Sequence, residues 1–235
     1  MEPGAAGDGT ALMPARHSPA AWTAGAARAK LRADQTGPYM TSILCVGIAV
    51  VDFLFHFPEL PTTPGKHFAR TCATVAGGMA ANAAITAASL GCEAALLSRV
   101  GQDLVGSLAL DELRWHGVDL SAVERIPDAP TSLSAVAIAA DGERMLFNHQ
   151  DRRLLRDAPA PAPLAYRRCD ALLDDGCWPA AGSLGLRLAA ERGIPGIVDI
   201  DQTIEPEWLL PTLRQASHLV FSRDGLAACL GIDGI

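Results

Sequence analysis

The chain has little lysine, few aromatic residues and no long apolar run. Only two of its 235 residues are lysines, Lys30 and Lys66, and aromatic residues make up 5%. The formal net charge is -7 and the basic residues form no block, which argues against a nucleic-acid-binding surface. No apolar stretch reaches the roughly 20 residues that span a bilayer, so we expect no membrane segment.

The six cysteines are scattered along the sequence rather than paired. None forms a Cys-x-x-Cys motif and no histidine lies at ligand spacing from two cysteines, so we expect no metal site. Buried thiols in a reducing compartment are the simpler explanation, and the absence of a hydrophobic leader core also favours a cytoplasmic protein. With 49% hydrophobic residues, the chain can form one α/β domain with a substantial core.

Residues 1–39 are rich in Ala, Gly and Pro and show no helix or strand periodicity. They predict a flexible tail or a mis-annotated start, because Met40 leads directly into the first predicted strand. A transit peptide is a third explanation, which Arg16, Arg28 and Arg32 support but the acidic residues of this segment oppose. Residues 40–235 form the predicted domain.

Strands and helices alternate along the predicted domain. Ile43–Val51 is apolar and β-branched and predicts a buried central strand, and Ala80–Leu90 predicts a long helix. This alternation indicates a parallel sheet with helices on both faces. Short exposed strands are predicted at about 53–75 and 131–149, the second pair joined by a type I′ turn at Asp141-Gly142.

Two adjacent glycines, Gly77 and Gly78, precede the Ala-rich helix. Glycine lets a ligand approach the main chain closely, and a helix N-terminus offers unpaired N–H groups. Asn82, in the first helical turn, adds both a donor and an acceptor. The arrangement suits a polyhydroxylated ligand, although a tight strand-to-helix turn explains the glycines equally well. A dinucleotide site is disfavoured because no Gly-x-Gly-x-x-Gly follows the first strand.

Three further polar residues lie at the ends or edges of predicted strands. Asp52 follows the first strand, at the end of a parallel sheet where ligands collect. Asn148 ends the predicted hairpin, and Lys66 begins the predicted strand 66–75. Each has a second explanation: Asp52 could turn the chain, Asn148 could be an ordinary turn residue, and Lys66 could be a solvated edge charge.

Several motifs occur in a fixed order: Gly77-Gly78-x-Ala80-x-Asn82, Arg99-Val100-Gly101-x-Asp103, Pro130-Thr131-Ser132 and Asp141-Gly142-Glu143-Arg144. Together they resemble the ribokinase-like (PfkB) carbohydrate kinases from about Ile43 to about Gly231. The resemblance implies an α/β parallel-sheet sandwich flanked by helices, with a small β lid. It also implies ATP-dependent phosphorylation of the hydroxyl of a hexose or modified hexose, with ATP and Mg²⁺ as cofactors and a homodimer formed through the lid.

The resemblance also assigns roles to the polar residues. Asp52, Gly77, Gly78 and Asn82 match the sugar-binding positions, and Asn148 and Lys66 would face the substrate from the lid. The pattern is most similar to the sulfofructose-kinase-like branch, which places an arginine before the tryptophan corresponding to Trp178. This chain has Cys177 there, so a neutral hexose is at least as well supported as a sulfonate, and a nucleoside remains a variant.

The Gly-Ala-Gly-Asp motif that carries the catalytic base of this family does not occur in the sequence. We therefore assign no catalytic residue, expect the C-terminal nucleotide-binding part to be missing, and expect no phosphoryl transfer by this chain alone. A catalytically inactive sugar-binding or regulatory remnant is the alternative function.

Overall fold

The computed structural model describes residues 40–159, 169–201 and 211–231, so the predicted tail 1–39 lies outside the described residues. No helix in these three ranges is both long and apolar enough to cross a membrane. In chain order the elements are β1 (Ser42–Val46), β2 (Val50–His56), β3 (Thr71–Gly77), α1 (Met79–Ser89), β4 (Glu93–Gly101), α2 (Leu104–Trp115), β5 (Asp119–Ile126), β6 (Leu133–Ile138), β7 (Arg144–His149), β8 (Ala171–Asp174), α3 (Pro179–Arg192), β9 (Gly196–Ile200), β10 (His218–Phe221) and α4 (Arg223–Leu230).

Six strands form a large sheet in the order β10-β9-β8-β1-β4-β5, and every neighbouring pair is parallel. Side chains of β1 alternate between its faces, as in any strand. Leu44 packs into a core with Leu186 of α3, whereas Cys45 packs into a second core with Ala80 of α1. The predicted parallel sheet with helices on both faces is confirmed.

Four strands form a small sheet in the order β3-β2-β6-β7, in which β2 and β6 are parallel and the other pairs antiparallel. The prediction of one strand over Ile43–Val51 is wrong, because this run supplies β1 to the large sheet and β2 to the small one. The chain breaks at Gly47, whose φ of 144° lies in the region that favours glycine. Periodicity could not reveal the break, since the apolar run continues across it.

The hairpin of β6 and β7 is confirmed, but its predicted type I′ turn is wrong. Gly142 donates its N–H to the carbonyl of Ala139, and Ala139 donates to that of Glu143. A type I′ turn needs positive φ at both central residues. Gly142 has a φ of 93°, whereas Asp141 does not have a positive φ.

Lys66 lies in the loop between β2 and β3, because β3 begins only at Thr71. The prediction of a strand beginning at Lys66 is therefore wrong. Pro61 and Pro64 precede it and have no N–H to donate to a neighbouring strand. Pairing resumes where Arg70 donates its N–H to the carbonyl of His56.

Candidate functional site

Asp52, Ser134 and Asn148 form one row across three neighbouring strands of the small sheet. Asp52 pairs with Ser134, and Ser134 pairs with Asn148. Directly paired residues point to the same face of a sheet, and strands lie about 4.8 Å apart. The Asp52 and Asn148 backbones are thus separated by about 10 Å, two strand spacings. Both predicted residues are accordingly placed on one face.

Gly77 lies directly against the carboxylate of Asp52. A Cβ at position 77 would overlap that carboxylate, so glycine is required there for steric reasons. Asp52 belongs to β2 of the small sheet, and not to the end of a large-sheet strand as predicted. It is half-buried. The structure therefore brings Asp52 and Gly77 together by a different route from the one that the sequence indicated.

Gly78 forms the turn from β3 into α1. Its φ is 98°, and a Cβ there would overlap the carbonyl of Ile48. It is the N-cap of α1 and has no side chain of its own to cap the helix, so the Asp175 carboxylate accepts the N–H of Ala80 instead. Asn82 lies in the first turn with its side chain exposed, and its backbone N–H donates to the Gly78 carbonyl. No residue of the first turn is acidic, and the positive partial charge of this helix end faces the carboxylate of Asp175 from a distant part of the chain.

Asp175, which follows β8, connects three segments around this helix end. Its Oδ2 accepts the N–H groups of Ile48 at 2.8 Å and Ala80 at 3.1 Å, and its Oδ1 accepts that of Cys177 at 2.9 Å. Burial raises the pKa of Asp175 to about 6, although these three donors act in the opposite direction. The residue was not predicted as part of the site. The pattern Asp174-Asp175-Gly176 at a strand end could have indicated it.

Cys177 and Trp178 follow Asp175 directly. Burial, and then the nearby Asp175 carboxylate, raise the pKa of Cys177 well above its usual range, so the thiol stays neutral. The Trp178 side chain is fully buried, and its indole N–H donates to the carbonyl of Asp157 at 2.9 Å. The guanidinium of Arg99 lies over the indole, 4.5 Å from the ring centroid. The side chain of Cys177 therefore presents no charge to a ligand.

The loop that contains Lys66 packs on the opposite face of the small sheet. A cavity of about 430 Å³ lies there, lined by loop residues such as Gly65 and His67 and by strand residues such as Phe55 and Phe147. Phe55 lies three residues after Asp52 on β2, and Phe147 lies one residue before Asn148 on β7. Residues an odd number of positions apart point to opposite faces of a strand, so both phenylalanines point away from Asp52 and Asn148. A role for Lys66 in binding the substrate remains a prediction.

Acidic groups also lie near the ends of β8 and β9. Burial and the neighbouring Asp201 raise the pKa of Asp199. Within the described ranges, no three His, Cys, Asp or Glu side chains come together in a way that could hold a metal ion. We therefore assign no metal ligand to these residues.

The sequence profile of the pfkB family carbohydrate kinases matches residues 40–234. Fructokinase-1 of Oryza sativa is 36% identical over 104 residues, which are 43% of this chain and 30% of that protein. The ATP-dependent ribose-1-phosphate kinase of Halopiger xanaduensis is 30% identical over 129 residues, 55% of this chain and 43% of that protein.

A solved structure from Agrobacterium tumefaciens, provisionally named a ribokinase, is 33% identical and superposes with a TM-score of 0.79. The match covers 83% of this chain and 64% of that one. The chain thus spans between about a third and two thirds of the length of these relatives. The family profile covers far more than half of this chain, and the two sheets and the glycine turn fall within the match. The chain belongs to the pfkB family of carbohydrate kinases.

Proposed function

We propose that this chain carries the sugar-binding part of an ATP-dependent kinase that phosphorylates a sugar hydroxyl. The observation that carries the proposal is the contact of Asp52 with Gly77 beside the N-terminal end of α1. A carboxylate accepts hydrogen bonds from sugar hydroxyls, and bare glycine backbone lets the ring approach the helix end closely.

Residues on the same face extend this site. Asn148 lies in the row with Asp52 and can donate to or accept from a hydroxyl about two strands away. Asn82 is exposed in the first turn of α1, four residues after Gly78 along the chain. The small sheet would then serve as the lid over the sugar, with Asp52 and Asn148 on its inner face. We keep Lys66 as a candidate whose loop would have to reach around the edge of the lid.

The substrate class that fits best is a neutral hexose such as fructose. The relative from rice is named a fructokinase, and Cys177 offers no positive charge to an anionic sulfonate. A ribose derivative is the competing substrate, because another relative is named a ribose-1-phosphate kinase. A catalytically inactive sugar-binding or regulatory protein is the competing function, because the sequence lacks the Gly-Ala-Gly-Asp motif.

ATP would supply the phosphoryl group and Mg²⁺ would neutralise its charge. The described residues provide no cluster suited to the metal. No step involving Mg²⁺ is therefore assigned to them. Their own contribution is to bind and orient the sugar and to exclude water from it, which is most of what phosphoryl transfer requires of a protein.

We further propose a cytoplasmic homodimer that forms through the outer face of the lid. Phe147 is 62% exposed and Phe55 is 38% exposed on that face, beside the cavity lined by the Lys66 loop. A second copy would cover this apolar surface. Light scattering after size-exclusion chromatography should show a dimer that Phe147→Asp converts into a monomer. A wild-type monomer would contradict the proposal.

The function is tested by calorimetric titration of the full chain with D-fructose, D-ribose, a 6-sulfonated fructose and ATP, followed by a coupled assay for ADP release. We expect a sugar to bind, with fructose preferred over the sulfonated sugar. ADP release dependent on sugar would favour a complete kinase, whereas binding without release would favour the sugar-binding protein. The absence of binding by every sugar would refute the proposal.

A further inference from the structure

In the described part of the chain, four connections join the small sheet to the large sheet. They are residues 47–49, Gly78, residues 127–132, and the segment that returns from β7 to β8, of which 150–159 and 169–170 are described. Buried or partly buried charged side chains bind to each of them or directly beside it. Asp175 accepts the N–H of Ile48 in the first connection and the N–H of Ala80, two residues after Gly78. Asp103 holds the third, since it accepts both the N–H and the hydroxyl of Thr131.

Arg99 holds the fourth connection. Nη1 donates to the carbonyls of Asp157 at 3.0 Å and Leu154 at 3.4 Å, and Nη2 donates to that of Ala158 at 3.1 Å. Its Nε forms an ion pair with Glu124 of β5 at 2.8 Å. One side chain thus links two strands of the large sheet to the backbone of the segment that leaves the small sheet.

The environment of Arg99 makes this link strong. The residue is only 7% exposed, and a guanidinium removed from water must be satisfied by acceptors. Its planar guanidinium donates to the carboxylate of Glu124 and to three carbonyls, and its face lies over the ring of Trp178. Trp178 also donates to the carbonyl of Asp157, so both side chains hold the same point of the returning segment.

Strand β7 depends on this link because it is an edge strand. Among the described strands it pairs with β6 alone, and every one of its residues is exposed. Beyond it, the chain is buried again at Leu154 and Leu155. The position of β7 is therefore set along one side by β6 and at its end by the segment that Arg99 binds. Asn148 is the last but one residue of this strand.

We propose that Arg99 is a positioning residue for the substrate-facing part of the lid: it fixes the returning segment and thereby holds β7 and Asn148 over the sugar. The proposal rests on the proposed function for its effect on sugar binding, but its structural half can be tested without any ligand. Asp175 binds beside the segments that lead into β2 and out of β3. Asp175 should therefore control the positions of β2 and β3, whereas Arg99 should control that of β7.

Hydrogen–deuterium exchange of the full chain without ligand tests the structural half. We expect Arg99→Met to speed exchange in peptides from residues 144–158 by about tenfold or more, because local opening of an unanchored edge becomes easier, while residues 71–77 change little. Asp175→Asn should show the reverse distribution. Arg99→Lys, which keeps the charge but loses the fork, should be intermediate. Arg114→Met is the matched control, since Arg114 is an exposed arginine on α2.

Titration with D-fructose tests the functional half. Arg99→Met should weaken fructose binding about tenfold, the effect of losing one good hydrogen bond, whereas Arg114→Met should not. The proposal would be overturned if Arg99→Met exchanged faster throughout the chain, or if its exchange rate in residues 144–158 did not increase. It would also be overturned if exchange in β7 became faster while the affinity for fructose stayed unchanged. If wild-type protein binds no fructose, the proposed hexose function fails, while the exchange data still decide whether Arg99 holds the lid.

Discussion

Asp175→Ala is expected to be among the most damaging substitutions of a single polar side chain in this protein. The carboxylate accepts the N–H groups of Ile48, Ala80 and Cys177, and alanine would leave all three without an acceptor. A buried donor without a partner costs about 1–3 kcal/mol. The hydrogen bond to Ala80 is buried, whereas those to Ile48 and Cys177 are only partly buried and water can replace them in part.

The summed cost is about 3–7 kcal/mol, taking the lower half of that range for each of the two partly buried donors. A domain of this size has a free energy of unfolding of about 5–15 kcal/mol, so Asp175→Ala would lose a large share of that stability. Asp175→Asn should cost less, about 1–3 kcal/mol, because the amide keeps one oxygen that can still accept hydrogen bonds. Equilibrium urea unfolding at pH 7.5 measures both differences.

Asp111→Ala serves as the control for removing an acidic side chain. Asp111 is exposed on α2, where it forms an ion pair with Arg114, so its loss should change the free energy of unfolding by less than about 0.5 kcal/mol. If Asp175→Ala were as stable as Asp111→Ala, the three hydrogen bonds would not hold these segments together. Asp175 would then also not fix the position of β2 and β3 in the lid.

Three further substitutions test other parts of the structure. Gly77→Ala should weaken fructose binding more than tenfold, because its methyl group would displace the Asp52 carboxylate, while the thermal midpoint falls only modestly. Thr131→Val should lower the free energy of unfolding in urea by about 1–3 kcal/mol, since it removes the buried acceptor of the Gly101 N–H. Burial, and then Asp175, raise the pKa of Asp174 well above its usual range, so its contribution to stability falls as pH rises from about 4. Asp174→Asn should therefore be more stable than wild type at pH 8 and lose that advantage towards pH 4. An advantage that grew at low pH would contradict this assignment.

Local patterns predicted much of the fold because they depend on short-range periodicity. The Ala-rich helix α1, the strand–helix alternation and the hairpin of β6 and β7 were all correctly expected. The division of Ile43–Val51 between two sheets was not, because an apolar run has the same appearance whether it enters one sheet or two. The positive φ at Gly47 marks the point where the chain leaves the large sheet.

The candidate site was predictable where motifs mark it and hidden where contacts are long-range. Gly77 and Gly78 are visible in the sequence as a pair, but the reason for Gly77 is its contact with Asp52, 25 positions earlier in the chain. Asp175 contacts Ile48 across 127 positions and Ala80 across 95. No spacing rule connects residues so far apart, which is why the long-range contacts of Asp175 and Arg99 emerged only from the structure.

The most direct test of sugar binding at Asp52 is isothermal titration of D-fructose into wild type, Asp52→Asn and Asp141→Asn. Asp141 is the matched control, because it is an exposed aspartate in the hairpin turn of the same sheet. Asp52→Asn should weaken binding about tenfold or more, since hydrogen bonds to a charged acceptor are stronger than those to an amide. Asp141→Asn should bind as wild type does. Equal affinity of all three proteins, or no fructose binding by wild type, would contradict the central claim.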